Sequence, residues 1–361
     1  MPANMTHKEL GIAVIGSGRM GLRRASLAAA HPAVRFIAVS DQDRERARNL
    51  AQKVGAQVYS DDNLEVISRT EVNAVIVSTS EHEHVLPALQ AIDLGKPVLI
   101  EKPIALTLDD ADRILAAASR AGIDLRIGYS RRFKRGYLLA KEQIVQGRLG
   151  HIVGANTRAY NSRAHPLQIL KRSPQATIVT DAMTYYVDLI VWFLQGNAPV
   201  EVVARGQKGV FKAAGYDVDD VTWAIVTFQD GAVVSMGVDF AFPEKYPTFG
   251  PNARVEILGT EGVFLIDDDN KDQILYTERG IPHSYVPDHS VNMAFMGSSS
   301  SGDWAQGNFW GPVADETRAW FDHLATGRGC SLASGLQART TLEITLAIEE
   351  AVRSHQAVHL L

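Results

Sequence analysis

Six residues, Gly16-Ser17-Gly18-Arg19-Met20-Gly21, join a short β-branched stretch, Ile12 to Ile15, to a helical pattern from Met20 to Ala30. Three glycines at this spacing, at the joint of a strand and a helix, constrain the chain more than any other feature. The first permits a tight turn, the second lets the backbone approach a pyrophosphate, and the third lets the helix lie close against its strand. The helix N-terminus then offers its amide donors to an anion. Asp41 ends the second strand-like run twenty residues beyond Gly21. There a carboxylate accepts hydrogen bonds from ribose hydroxyls and repels a 2′-phosphate. The motif predicts a dinucleotide site made by Gly16, Ser17, Gly18, Arg19, Met20, Gly21 and Asp41, with NAD preferred over NADP. Arg44 is the nearby cation that could rescue a 2′-phosphate.

The surrounding pattern agrees. Ile12 to Ile15, Phe36 to Val39, Ala74 to Val77, Val98 to Ile100 and Leu125 to Ile127 are nearly all apolar, as strands covered on both faces should be. Helical stretches alternate with them: Met20 to Ala30, Arg44 to Val54, Val85 to Leu94 and Leu108 to Ala121, the last two stopped by Gly95 and Gly122. Alternation of this kind predicts an α/β domain, a doubly wound parallel sheet over residues 1–128. After Gly128 the rhythm changes. A helix is expected over Gly136 to Gln146, a strand over His151 to Arg158, a polar loop through Pro174 and an amphipathic helix over Asp181 to Phe193. Strand patterns at 200–205, 221–228, 232–240, 253–258 and 262–266 read as a meander. Residues 129–361 are thus expected to form an α+β domain with a large, mostly antiparallel sheet. Residues 281–311, rich in Gly, Ser and Asn, read as a long functional loop or an oligomer arm. Closing helices are expected over 313–326 and 336–354.

Composition narrows the function classes. The chain has 361 residues, 46% apolar and 21% charged, which is the make-up of a globular protein of about two domains. A formal charge of −5 gives no field for gathering polyanions, so nucleic acid is not an expected partner. Cys330 is the sole cysteine and cannot close an intramolecular disulfide. No apolar run approaches the roughly 18 residues of a membrane span, and the first residues do not read as an export signal. A cytoplasmic protein with no metal site and no membrane partner is expected.

Glu101-Lys102-Pro103 follows directly on the run 98–100, which places Lys102 at the carboxyl end of the parallel sheet, where such folds bind ligands. With this motif the chain resembles the glucose-fructose oxidoreductase and inositol dehydrogenase family, Gfo/Idh/MocA. The resemblance is carried by Gly16 to Gly21, Ser78 to His84, Gly95-Lys96-Pro97, Glu101-Lys102-Pro103, Gly128 to Phe133, Asp181 to Asp188 and Gly311-Pro312 through Gly327. It implies a Rossmann domain, an open-faced β-sheet domain, nicotinamide bound between them, and assembly into a homodimer or homotetramer through that sheet. It also implies a cis bond before Pro103. Ser78, Thr79, His84, Glu101, Lys102 and Arg131 join the cofactor residues on the same ground.

By resemblance, Lys102 is catalytic, and an Asp-x-x-x-His-x-x-Asp pattern supplies the remaining groups. Here the pattern runs from Asp181 to Asp188 with Tyr185 in place of the histidine. On an α-helix, positions 181, 185 and 188 share a face, so Asp181 and Tyr185 can address one pocket. A tyrosine can carry a proton when a neighbouring ammonium lowers its pKa from about 10. The expected reaction is NAD-dependent dehydrogenation of a secondary alcohol on a sugar or cyclic polyol, with Lys102, Asp181 and Tyr185 catalytic. Arg158, Arg163, His165, Lys171 and Arg172, read as part of the polar loop, would suit an acidic substrate, with Arg158 and Arg163 the leading substrate contacts. That suggests, as an alternative, a dehydrogenase of an aromatic-pathway dihydrodiol or carboxylated ring. A nucleotide-binding sensor or scaffold without chemistry is the alternative from another class, and retention of Lys102 and Asp181 argues against it.

Other signals are weaker. His82 and His84 lack a third ligand for a metal. Asp267-Asp268-Asp269 reads as a solvated turn; the resemblance implies that Arg131-Arg132-Phe133-Lys134-Arg135 is the segment crossing beneath the substrate, and by its residues alone it reads as a solvated helix start. Trp304, Phe309 and Trp310 suit either a pocket wall or a subunit anchor.

Overall fold

A computed structural model describes residues 8–360 apart from 174–175, 248–251, 269–272, 284–285, 287 and 297–301. The chain divides into two units, residues 1–133 with 301–342 and residues 134–300 with 343–361. The first therefore takes in a late segment that returns after the second.

The first unit alternates β1 (Leu10–Ile15), α1 (Arg19–Ala30), β2 (Val34–Ser40), α2 (Arg44–Val54), β3 (Val58–Ser60), α3 (Asn63–Ile67), β4 (Ala74–Val77), α4 (Val85–Asp93), β5 (Val98–Glu101), α5 (Leu108–Ala121) and β6 (Leu125–Gly128). Its six strands are parallel in the order β3-β2-β1-β4-β5-β6, that of a dinucleotide-binding sheet. Strands β1, β4 and β5 are buried throughout, because helices cover both faces. Gly95 and Gly122 take the positive φ that ends α4 and α5.

In the second unit come α6 (Arg135–Val145), β7 (Ile152–Ser162), α7 (Ala164–Arg172), α8 (Thr184–Phe193), β8 (Pro199–Gln207), α9 (Val210–Ala213), β9 (Val221–Phe228), β10 (Val233–Phe242), β11 (Asn252–Gly259), β12 (Val263–Asp268), β13 (Gln273–Pro282) and β14 (Ser290–Met296). The first unit then adds β15 (Asp303–Ala305), β16 (Asn308–Trp310), α10 (Pro312–Thr326) and β17 (Ala333–Ser334), which pairs antiparallel with β6. The chain closes with α11 (Gly335–Ser354) and β18 (Val358–His359).

The second sheet has the order β12-β11-β7-β10-β9-β8-β18 and is antiparallel except for β7 against β10. The expected meander holds over β8, β9 and β10 and then breaks. The eleven-residue β7 lies between β10 and β11, so those two strands pair with it and not with each other. One face packs Ala155, Ala159, Met236, Val238 and Val255 against α8. The opposite face exposes Trp223, Ile225, Val233, Leu258, Val263 and Leu265.

Four further expectations about local structure need correction. Residues 164–172 form a helix and not a polar loop: Ala164, Leu167 and Leu170 recur at helical spacing and pack inward, and Pro166 lies in the first turn, where its missing amide costs nothing. The helix at Asp181 opens with a π-helical turn, Val179–Met183. The supposed loop 281–311 contributes to two hairpins, β13 with β14 and β15 with β16, beside its undescribed residues. The acidic run is not a solvated turn: Asp268 is buried and accepts from Lys134 and from Tyr137 Oη at 3.2 Å, Asp267 pairs with Arg254 at 3.1 Å, and Asp269 lies outside the described residues.

Candidate active site

Parallel strands end at one edge, and that edge gathers the candidate nucleotide residues. Ile15 is level with Ser40 and Val77, Val77 with Ile100, and Glu101 with Gly128. The turns after β1, β2, β4, β5 and β6 carry Gly16 to Gly21, Asp41, Ser78-Thr79, Lys102 and Arg131.

Each glycine has a separate geometric reason. Gly16 has φ +93°, and a Cβ there would stand 2.7 Å from the Ser78–Thr79 backbone. A Cβ at Gly21 would lie 1.9 Å from the Gly16 carbonyl oxygen, so only hydrogen lets α1 pack against β1. Nothing lies within 4 Å of a Cβ at Gly18, which faces open space. Gly18 is also the N-cap of α1 and provides no side-chain cap, and no acidic residue occupies the first turn. The first amides of the helix and its positive dipole end are left for an outside anion.

The remaining residues close the cradle. Asp41 Oδ2 accepts from the Ser17 amide at 2.8 Å, and Oδ1 accepts from the Asp43 amide at 3.0 Å and from Arg46 at 3.4 Å. Ser17 Oγ donates to the Ser40 carbonyl, so this hydroxyl shapes the loop. Arg19 is exposed at the start of α1. Arg44 pairs with Asp61 at 3.0 Å. Ser78 Oγ lies 3.1 Å from the carbonyls of Ile15 and Gly16, tying β4 to the glycine turn. Thr79 Oγ1 is buried and has no hydrogen-bond partner among the described residues. An orphaned buried hydroxyl beside uncapped amides fits a bound dinucleotide, which would satisfy both.

Lys102 is half-buried and precedes a cis peptide bond to Pro103. His84 is buried, with Nδ1 2.8 Å from the Pro103 carbonyl oxygen and Nε2 3.3 Å from that of Thr79. Burial lowers its pKa despite the opposing bond to Pro103, which favours the neutral ring; its single N–H then donates to one of these carbonyls, the Pro103 oxygen being the nearer. Glu101 turns into the unit and accepts from Arg24 Nε at 2.7 Å. Arg24, buried on α1, was not singled out in the sequence. The available signal was its position with Gly21, Ala25 and Ala28 on the inward face of that helix.

In the second unit Asp181 and Tyr185 are half-buried, whereas Asp188 is 0% exposed, so the expected three-residue face divides. Tyr186 is the tyrosine that fills the core. A small apolar hollow is walled by Ile169, Leu170, Phe211, Val218 and Phe240, with Thr177 and Asp181 among its lining. Arg158 is on β7 with the parity opposite to Ala155 and Ala159, on the face of the sheet away from α8, with its guanidinium 4.9 Å from the Tyr160 ring. Arg163 donates to the carbonyls of Phe242 at 3.0 Å and Ala241 at 2.9 Å, fastening the end of β10. His165 and Lys171 lie on α7, and the Arg172 side chain falls outside the described residues. In the run 131–135, Arg132 is buried and donates to Gln337 at 2.9 Å, and Lys134 is buried on Asp268, so these two cations are not a solvated face.

The fold and the glycine cradle define an oxidoreductase with an NAD-binding Rossmann domain. A family described as "Oxidoreductase family, NAD-binding Rossmann fold" matches residues 10–129, and the "GFO/IDH/MocA C-terminal domain" matches residues 137–265. The chain is 30% identical over 256 residues to inositol 2-dehydrogenase 2 of Saccharopolyspora erythraea, covering 70% of this chain and 72% of that one. It is 26% identical over 280 residues to scyllo-inositol 2-dehydrogenase (NAD(+)) of Bacillus subtilis, covering 76% and 79%. Scyllo-inositol dehydrogenase of Lactobacillus casei, solved with NAD(H) and scyllo-inositol, has the same fold with a TM-score of 0.79 at 18% identity, covering 98% of this chain and 99% of that one. The chain belongs to the Gfo/Idh/MocA family.

Proposed function

We propose that the protein is an NAD-dependent dehydrogenase of a secondary alcohol on a cyclic polyol or sugar. The observation that carries the reading is Lys102, half-buried at the carboxyl end of β5, on the same sheet edge as the uncapped α1 amides and the orphaned Thr79 hydroxyl. Bound there, the nicotinamide would supply the hydride acceptor. The α1 N-terminus and the open space at Gly18 would hold the pyrophosphate, and Asp41 the adenosine ribose. Asp41 favours NAD because its carboxylate would repel a 2′-phosphate, and Arg44 is already engaged by Asp61. Lys102 would donate a hydrogen bond to the reacting oxygen and stabilise the charge developing on it. Tyr185 would take the hydroxyl proton, and Asp181 would orient a substrate hydroxyl. The inositol dehydrogenases among the relatives support a ring bearing several hydroxyls.

A dihydrodiol on a largely apolar ring is the second reading, favoured by the apolar side chains that surround Asp181, among them Ile169, Leu170 and Phe240. The carboxylated variant of it loses support, since it rested on Arg158 and Arg163, and the fold engages both elsewhere. The exposed apolar residues of the second sheet are proposed as the surface by which copies of this chain assemble.

Absorbance of reduced nicotinamide, followed with NAD and NADP against inositols, sugars and cyclic diols, tests the reading. NAD reduction by neutral polyols is expected. Turnover confined to apolar diols would promote the second reading, and NAD binding without any turnover would overturn both.

A further inference from the structure

Arg24 occupies a place that nothing in the dinucleotide motif requires. It lies three residues past Gly21, is 0% exposed, and spends its whole guanidinium fork on three side chains from two other elements. Nε donates to Glu101 Oε1 at 2.7 Å, Nη2 to Glu316 Oε2 at 2.6 Å, and Nη1 to Thr317 Oγ1 at 2.6 Å. Thr317 passes the chain of bonds on to the Val313 carbonyl at 2.6 Å. All these groups belong to the first unit. Burial by itself would weaken the guanidinium's hold on its proton; the charges and hydrogen bonds of Glu101 and Glu316 outweigh it, and Arg24 is a permanent cation between two carboxylates.

The neighbours are shaped around this cluster. Gly128 stands opposite Glu101 on β6, and a Cβ there would come within 2.9 Å of Arg24 Nη2 and 3.1 Å of Glu101 Oε2. Glu101 is the residue immediately before Lys102. On the other side, the Pro103 carbonyl is held by His84. Lys102 is thus bracketed, its predecessor fixed through a buried carboxylate and its successor through a backbone carbonyl.

We propose that Arg24 is a positioning residue for Lys102: by clamping Glu101 to α10 it fixes the strand end from which the lysine leaves. A planar fork can hold Glu101 and the Glu316–Thr317 pair in one geometry, whereas an ammonium is a point charge that cannot bridge them at the same time. The inference rests on the reading of Lys102 as the group that meets the reacting oxygen.

Arg24→Lys, Arg24→Met and Gly128→Ala would be compared with the unaltered enzyme by NAD titration, by steady-state kinetics with an inositol, and by NMR of ¹³C-dimethylated lysines. The Lys102 resonance is assigned by its loss in Lys102→Arg. Arg24→Lys is expected to bind NAD normally and to lose about 10- to 100-fold in kcat with KM little changed, since small misplacements of a catalytic group cost on this order. Gly128→Ala, which keeps every charge, is expected to show a smaller loss of the same kind, and both should shift the Lys102 resonance. Variants that lose only thermal stability, with kcat and the resonance unmoved, would overturn the proposal. Should Arg24→Met fail to fold, Arg24→Lys and Gly128→Ala decide the matter. If the unaltered enzyme oxidises no polyol, the functional reading fails by itself, and the lysine resonance still tests whether Arg24 positions Lys102.

Discussion

The two units build their functional residues in different ways. In the first, the backbone decides: a parallel sheet covered on both faces ends at one edge, and whatever follows a strand faces that edge. Gly16, Asp41, Thr79 and Lys102 all follow the last residue of a strand by one or two positions. In the second, the sheet has one packed face and one exposed face, and a residue's role depends on its parity. Arg158 and Ala159 are neighbours in sequence, yet Ala159 lies in the core beside α8 and Arg158 stands on the far face. A motif is therefore a dependable guide to where a residue is placed in the first unit, while in the second it needs the pairing register as well.

Substitutions can sharpen this contrast. Lys102→Ala should lower turnover about a thousandfold with NAD affinity nearly unchanged, as loss of a charge-stabilising acid–base group does; an enzyme of normal turnover would remove Lys102 from the chemistry. Gly21→Ala forces α1 off β1 and should cost about 3 kcal/mol or more in a denaturant titration, with loss of NAD binding. A native-like midpoint would show that the close approach is not required. Thr79→Val should weaken NAD binding by about fivefold, the worth of one hydrogen bond, without destabilising the free protein, because its buried hydroxyl bonds nothing there. Arg158→Ala should leave kcat/KM within about twofold. A large loss in that variant would contradict the parity argument and bring an acidic substrate back.

The smallest effect concerns pH. Glu349 on α11 is mostly buried and accepts from Thr177 Oγ1, two residues before the π turn that carries Asp181. Burial raises its pKa above the ordinary 4.5, and the Thr177 bond opposes this in part. The folded chain thus holds the proton more tightly than the unfolded one, and stability falls as pH rises from about 4.5 through the folded value. Glu349→Gln lacks this penalty. It should melt higher than the parent near neutral pH, and the difference should shrink as pH falls toward 4.5.

Much of the first unit was legible. The five strand runs, the four expected helices between them and the glycine turn appear where apolar blocks and turn residues put them; β3 escaped because its three residues alternate in burial, and α3 because it has only five residues. Arg24 escaped for another reason. Charged residues are read by default as solvent-facing, and the carboxylates that make its burial tolerable lie 77 and 292 residues further along the chain. In the second unit, α7 was hidden by its polar residues, although Ala164, Leu167 and Leu170 carried the helical period. Tyr185 is set apart from its neighbour Tyr186 in the sequence only by its place in the Asp181-to-Asp188 pattern, and in the structure by its lesser burial.

By itself the sequence determined the glycine turn between β1 and α1 and the place of Lys102, because glycine conformations and strand-to-helix turns are local events governed by neighbouring residues. Tertiary structure alone decided which face of the second sheet holds Arg158, that Arg163 fastens β10, and that Arg24 clamps Glu101 to α10. Those outcomes depend on strand register and on charges that meet across long stretches of chain, and hydrophobic periodicity carries no record of which distant partner a residue will meet.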